Sequence, residues 1–198
     1  MCGRFFIDEQ SIRKAENLVK MIDLSLAGRR EIFPSQKAPV IFKQGEEYAE
    51  ELFSWGFSRF DKKGLMINAR SETALERKMF RKSLLEHRCL IPAAGFYEWD
   101  REKNKIAFFK ETSPVIFMAG FYRPDQDSSR FVILTTKANR SVRGIHERMP
   151  MIIEERHIEN WFGNETFEHL LHIEPESLSH VAAEAKKLEN PRTLFVLG

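Results

Sequence analysis

From Cys89 to Thr136 the chain is a succession of apolar, strand-like runs: Cys89 to Trp99, Lys105 to Glu111, Val115 to Arg123 and Arg130 to Thr136. Short polar joins such as Arg101 to Asn104 and Asp125 to Ser129 separate them. Joins this short favour antiparallel pairing, because a parallel return needs a crossover of about a dozen residues or more. Upstream, Pro39 to Phe42 and Tyr48 to Phe57 read as a hairpin around Gln44-Gly45-Glu46. No strand–helix–strand alternation and no internal repeat appears. The pattern predicts an α+β fold, a curved and mainly antiparallel sheet with a barrel-like core and flanking helices, in a single domain over 1–198.

The helices are read from their periodicity. Asp8 to Ile22 carries Ile12, Ala15, Leu18, Val19 and Ile22 on one face with Asp8 as the cap. Ser71 to His87 carries Leu75, Met79, Phe80 and Leu84, with Thr73 and Glu76 spaced as a capping box. Shorter helices are expected over Glu155 to Phe162, Glu165 to His172 and Ser177 to Leu188, and further strands over Met151 to Ile153 and Thr193 to Leu197.

Composition narrows the function classes. The 198 residues carry a net charge of only +2, so any nucleic-acid binding must rest on local clustering of charge. Cys2 and Cys89 make no disulfide framework and have no metal-ligand spacing, which points to a reducing compartment. Cys89 lies in an apolar run and is expected to pack in the core. No signal peptide and no apolar run of the roughly 18 residues a membrane span needs is present. The expectation is a soluble, cytoplasmic monomer without metal or cofactor. His157, His169, His172 and His180 lie on polar segments without the cysteines or carboxylates of a metal site.

The chain begins Met1-Cys2-Gly3-Arg4. Once Met1 is trimmed, Cys2 carries an α-amine of pKa about 7.7–8.0 beside a thiol of pKa about 8.5. Two nucleophiles on adjacent carbons can condense with an aldehyde, first to an imine and then, as sulfur closes on the same carbon, to a thiazolidine. Three further segments place chemically capable residues where strands end or loops begin: Ile67-Asn68-Ala69-Arg70-Ser71-Glu72-Thr73, Gly95-Phe96-Tyr97-Glu98-Trp99 and Ile145-His146-Glu147-Arg148-Met149-Pro150. Taken singly, a Glu placed like Glu98 is more often a cross-strand partner or surface residue, a His placed like His146 is usually a solvated loop residue, and Asn68 reads as a helix cap.

In this order, and with Phe33-Pro34-Ser35, Trp55-Gly56 and Thr135-Thr136-Lys137-Ala138-Asn139, the segments resemble the SRAP (SOS-response-associated peptidase) family of abasic-site processing proteins, from Cys2 to about Trp161. The resemblance implies a covalent crosslink between Cys2 and the ring-opened aldehyde of an abasic site in single-stranded DNA, with the protein nucleoid-associated when bound. Under it, Glu98 in strand-like surroundings moves protons during imine formation. His146, of the residue type that titrates near neutral pH, assists sugar ring opening and crosslink reversal. Asn68 orients the Cys2 amine. Arg4, Arg70 and Arg148 are expected to contact phosphates, with Arg59, Lys62 and Lys63 as a further basic stretch. Pro34, Trp55 and Trp99 match positions that stack on or wedge between bases, although both tryptophans also suit a core, and Thr135 is expected to hydrogen-bond a phosphate. The chain departs from the family pattern at Phe57-Ser58-Arg59-Phe60, which lacks the usual proline and tryptophan. Its end, Pro191 to Gly198, lacks an asparagine-rich closing motif.

Rival classes make different demands. A glutamine amidotransferase starting at Cys2 requires an Asn-Gly oxyanion segment, and the chain has no Asn-Gly pair. A thiol autopeptidase has only Met1 to remove, which makes a peptidase or hydrolase label nominal; lyase activity is a further class compatible with the aldehyde chemistry. A non-catalytic single-strand binder needs no role for Cys2.

Overall fold

The computed structural model describes residues 2–18, 30–59, 63–125 and 128–183. In chain order the elements are β1 (Phe5–Ile7), α1 (Glu9–Ala15), β2 (Arg30–Ile32), β3 (Lys37–Gln44), β4 (Glu47–Trp55), β5 (Phe57–Ser58), β6 (Leu65–Met66) and β7 (Asn68–Arg70). Then follow α2 (Lys78–Glu86), β8 (Arg88–Ala93), β9 (Gly95–Trp99), β10 (Lys105–Phe109), β11 (Ile116–Arg123) and β12 (Arg130–Lys137). The last are β13 (Arg148–Pro150), β14 (Ile152–Ile153), α3 (Ile158–Phe162), α4 (Phe167–Leu170) and β15 (Ser179–Ala182).

The larger sheet closes on itself. β3 pairs with β4 and β8, β8 with β11, β11 with β12, and β12 returns to β4. The loop of pairings makes the expected barrel-like core, antiparallel except where β12 runs parallel to β4 and β7. Val40, Phe53, Trp55, Ile91, Met118, Phe131 and Ile133 share one face of this sheet by register, and Leu90 and Phe121 share the other; all are nearly excluded from solvent. The second sheet runs β15-β10-β9-β1-β2 and lays the amino-terminal strand between β9 and β2.

The run Cys89 to Trp99 is two strands, not one. β8 serves the barrel and β9 the second sheet, and the chain changes sheets at Ala94-Gly95. A Cβ at Gly95 would stand 2.2 Å from the Phe108 carbonyl oxygen, so only glycine permits the approach. Likewise Met151 to Ile153 is read too simply: β13 pairs with β12, and after Met151 crosses over, β14 pairs with β11.

Two helix expectations also change. Helix α1 begins as read, with Asp8 Oδ1 accepting from the Ser11 amide at 2.8 Å and Ser11 Oγ accepting from the Asp8 amide at 3.0 Å. Ser71 to His87 is not one helix: Ser71–Thr73 is a single 3-10 turn, and α2 starts after Arg77, whose backbone is extended. The expected Thr73–Glu76 capping box therefore does not form. Ser71 and Ala74 are buried, whereas α2 packs on β8 and β11, so the break lets both segments reach their own surfaces. The stretch read as a helix from Ser177 contains strand β15, because the outer edge of β10 supplies an unpaired ladder of backbone groups that Ser179–Ala182 completes. Residues 19–22, 184–188 and 193–197 of the expected elements lie outside the described residues.

One buried cation ties the helices to the barrel. Arg88, 7% exposed, donates to the carbonyls of Leu84 and Leu85 at the end of α2, of Trp161 and Phe162 at the end of α3, and to Asn164 Oδ1. Its guanidinium lies 4.1 Å over the Phe167 ring. Helix carboxyl ends leave unpaired carbonyls and partial negative charge, which a fork of N–H donors satisfies. Burial lowers the Arg88 pKa to about 10. Arg88→Met is expected to cost about 3 kcal/mol by stranding those carbonyls; urea unfolding that shows less than about 1 kcal/mol would remove Arg88 from this role.

Candidate functional site

Strand β1 brings the amino-terminal segment against β9. Phe5 faces Phe96, and the Tyr97 amide donates to the Arg4 carbonyl at 2.9 Å. Continuing the antiparallel course places Cys2 toward the Glu98 end of β9. On the other side, β7 lies parallel to β12 with Asn68 opposite Ile133. Asn68 Nδ2 donates to the Cys2 carbonyl at 2.8 Å, linking residues 66 positions apart. Its Oδ1 is buried and has no hydrogen-bond partner among the described residues.

Glu98 is 3% exposed. Burial raises its carboxyl pKa, and the positive charges of the amino terminus and of His146 act against that rise. Cys2 is fully buried, and its thiol donates weakly to the Arg4 carbonyl at 3.6 Å. Burial pushes the thiol pKa well above its ordinary value, and the Glu98 charge pushes it further the same way. Cys2, Asn68, Glu98 and His146 thus converge, through one direct hydrogen bond and two electrostatic couplings, on one site. His146 Nδ1 lies 3.0 Å from both the amide nitrogen and the carbonyl oxygen of Arg148.

The flanking residues divide. Arg4 lies with its guanidinium 4.1 Å from the Phe33 ring and 5.1 Å from the Trp99 ring, and it pairs with Glu31 at 3.5 Å. Glu31 also binds Lys105, whose ammonium lies 3.8 Å over Tyr97. Pro34 and Trp99 are half-buried, and Arg70 is exposed on the last residue of β7. Arg59 and Lys63 are exposed, whereas Lys62 lies outside the described residues.

Two expectations about DNA contacts need correction. Trp55 is fully buried between Phe5, 5.1 Å away, and Phe131, 6.3 Å away, and its Nε1–H donates to the Ile67 carbonyl at 2.9 Å. With both faces and its polar edge occupied, it cannot stack on a base. Thr135 is also fully buried on β12, where Oγ1 donates to the Ala69 carbonyl at 3.4 Å and fastens β7 rather than facing a phosphate. Arg148 is already paired, donating to Glu72 Oε1 at 2.6 Å and Oε2 at 2.9 Å and to the Thr135 carbonyl at 2.6 Å. Beside Arg4 the exposed aromatic, among the described residues, is Phe33, 37% exposed. Sequence reasoning passed over it although it precedes Pro34. Its turn is fixed: the Phe33 amide donates to Gln36 Oε1 at 3.0 Å, the Ser35 amide to the Trp55 carbonyl at 2.8 Å, and Ser35 adopts φ 75°.

A family model described as SOS response associated peptidase (SRAP) matches residues 1–188. The chain belongs to the SRAP family. Among SRAP-like relatives, the abasic site processing protein YoaM of Bacillus subtilis (strain 168) is 31% identical over 182 residues, covering 81% of this chain and 78% of YoaM. The abasic site processing protein YedK of Escherichia coli (strain K12) is 30% identical over 182 residues, covering 83% and 81%. A Bacteroides thetaiotaomicron protein of known crystal structure has the same fold, with a TM-score of 0.78, 23% identity and coverage of 96% of this chain and 97% of that one. Among the described residues of this SRAP chain, no group of three or more His, Cys, Asp and Glu is placed to hold a metal ion, and no helix is long and apolar enough to cross a membrane.

The buried thiol gives a direct test. Alkylation of Cys2, separated from Cys89 by peptide mapping, is expected to be slow near pH 7 and still rising above about pH 9, because a raised pKa leaves less thiolate at any fixed pH. Glu98→Gln removes one of the two causes, lowers the thiol pKa and speeds labelling. A wild-type profile centred near the ordinary value of about 8.5 would contradict the burial of Cys2.

Proposed function

We infer that this SRAP protein processes abasic sites in single-stranded DNA, and that it does so through a covalent bond formed by Cys2. The convergence of Asn68 on the Cys2 backbone, with Glu98 and His146 in electrostatic reach, is the observation that supports this reading. The names of YoaM and YedK support the same lesion.

With Met1 removed, the Cys2 amine attacks the C1′ aldehyde to give a carbinolamine, and loss of water gives an imine. The thiol then adds to the imine carbon as its proton passes to nitrogen, closing the thiazolidine with one water released overall. Glu98, its pKa raised by burial, is suited to take a proton from the attacking amine and to deliver it to the departing hydroxyl. Ring opening of the sugar needs a proton removed from the C1′ hydroxyl and one delivered to the ring oxygen, work that suits the imidazole of His146. Asn68, donating to the Cys2 carbonyl, fixes the residue whose amine attacks.

A single strand would pass over Arg70 and Arg4, with Phe33, Pro34 and Trp99 as the exposed or half-exposed surfaces beside the lesion. Base–aromatic stacking is worth about 1–3 kcal/mol per base, so Phe33→Ala is expected to weaken binding roughly tenfold. Arg70→Ala is expected to weaken it with a salt slope smaller by about 0.7.

The deciding experiment is denaturing electrophoresis with intact mass, using protein that begins at Cys2 and single-stranded DNA bearing one abasic site. An adduct mapping to Cys2, absent with undamaged DNA and absent for Cys2→Ala, is the expected result. An adduct that survives Cys2→Ala overturns the mechanism, and no adduct at all leaves a binding module.

A further inference from the structure

We propose that Glu72 is a positioning residue for His146, acting through Arg148. The proposal rests on the reading of His146 as the proton-transfer group above. Arg148 meets the imidazole with its backbone and Glu72 with its side chain. Its amide N–H donates to His146 Nδ1, and its carbonyl oxygen stands at the same 3.0 Å from that nitrogen. A neutral ring that accepts from this amide at Nδ1 carries its proton on Nε2. A ring protonated at Nδ1 donates to the carbonyl instead. Nδ1 has a partner in either state at one ring orientation, the amide when it accepts and the carbonyl when it donates, so the imidazole can gain and lose a proton without turning over, although the amide gives up its acceptor when Nδ1 is protonated.

That arrangement holds only if the Arg148 backbone stays in place, and on the main chain the start of the β13 ladder holds it, with the Ala138 amide donating to the Glu147 carbonyl at 2.9 Å. His146 lies in an irregular link whose turns bond to Val142, and Arg148 is the first residue of the short strand β13, paired with Lys137 at the end of β12. The side chain adds a second anchor from the other side. Nη1 and Nη2 reach the two oxygens of Glu72, and Nη2 also reaches the Thr135 carbonyl on β12. Glu72 is itself held in the 3-10 turn that follows β7, beside the buried Ser71, so the same turn that follows Asn68 also fixes His146. A two-pronged Arg–carboxylate pair restricts both translation and rotation of the guanidinium. The ion pair also holds the Glu72 carboxyl pKa below its ordinary value, the direction of a pair formed in the folded protein.

The test uses Glu72→Gln and Glu72→Ala in the whole chain, with two readouts. In the DNA-free protein, 15N NMR of the His146 ring is expected to report the Nε2–H tautomer in the wild type and a tautomer mixture in both variants. With abasic single-stranded DNA, crosslinking and reversal are expected to slow roughly tenfold at unchanged binding affinity. The double variant Glu72→Ala/His146→Ala is then no slower than His146→Ala alone. A wild-type tautomer in both variants, or rate losses that add to those of His146→Ala, overturns the proposal. So does lost affinity with a changed salt slope at an unchanged crosslinking rate, which makes Glu72 a restraint on a phosphate-binding Arg148. If Glu72→Ala does not fold, Glu72→Gln carries both readouts. Because the tautomer measurement needs no DNA, failure of the crosslinking reading and failure of this positioning are distinguishable.

Discussion

Strand β12 has to satisfy the backbone donors and acceptors on both of its edges in the middle of a barrel, where water cannot. It does so with different partners along its length: β4 and then β7 on one edge, β11 and then β13 on the other. Unpaired buried peptide groups cost as much as lost hydrogen bonds, so each change of partner is forced to occur where the next strand begins. Those changes position the site. β7 arrives with Asn68 and Arg70 at its two ends, and β13 arrives with Arg148 just after His146. A barrel closed only by β4 and β11 would have no edge on which to hang either.

The second sheet contributes the other half of the chemistry. Strand β1 reaches β9 beside the point where the chain leaves the barrel at Ala94-Gly95, and this brings the amino-terminal cysteine and Glu98 into one low-dielectric region. Burial disfavours charge on both groups, and the negative charge of Glu98 discourages the thiolate further. The resting site therefore favours a protonated thiol. Positive charge from the amino terminus and His146 relieves Glu98 in the opposite direction, so the site's protonation is set by a balance among neighbours.

Much of this was legible in the chain, and the losses have common causes. The strand runs, the hairpin at Gln44-Gly45-Glu46, the Asp8 cap and the burial of Cys89 follow from period, turn chemistry and apolar character, which are local properties. The same local rules could not see that the run from Cys89 to Trp99 feeds two sheets, since both halves are equally apolar and only the approach of Phe108 to Gly95 separates them. They made Ser177 onward helical because nothing nearby announces the open edge of β10. Trp55 and Thr135 are named as DNA contacts under the family resemblance. Each is buried and occupied instead, by aromatic neighbours and by the Ala69 carbonyl respectively. Phe33 lies in the Phe33-Pro34-Ser35 segment, but its exposure depends on a turn pinned to the Trp55 backbone.

The sequence by itself determined the identity of the reactive groups and the class of the fold. An amine and a thiol on one terminal residue, and strand periodicity broken by short polar turns, are covalent and local facts that hold in any conformation. Tertiary structure decided which groups meet, how far each is desolvated and which cations are already paired. Those outcomes depend on distances across the barrel and between the sheets, such as the 2.8 Å from Asn68 to the Cys2 carbonyl, and no local pattern encodes a contact between residues so far apart in the chain.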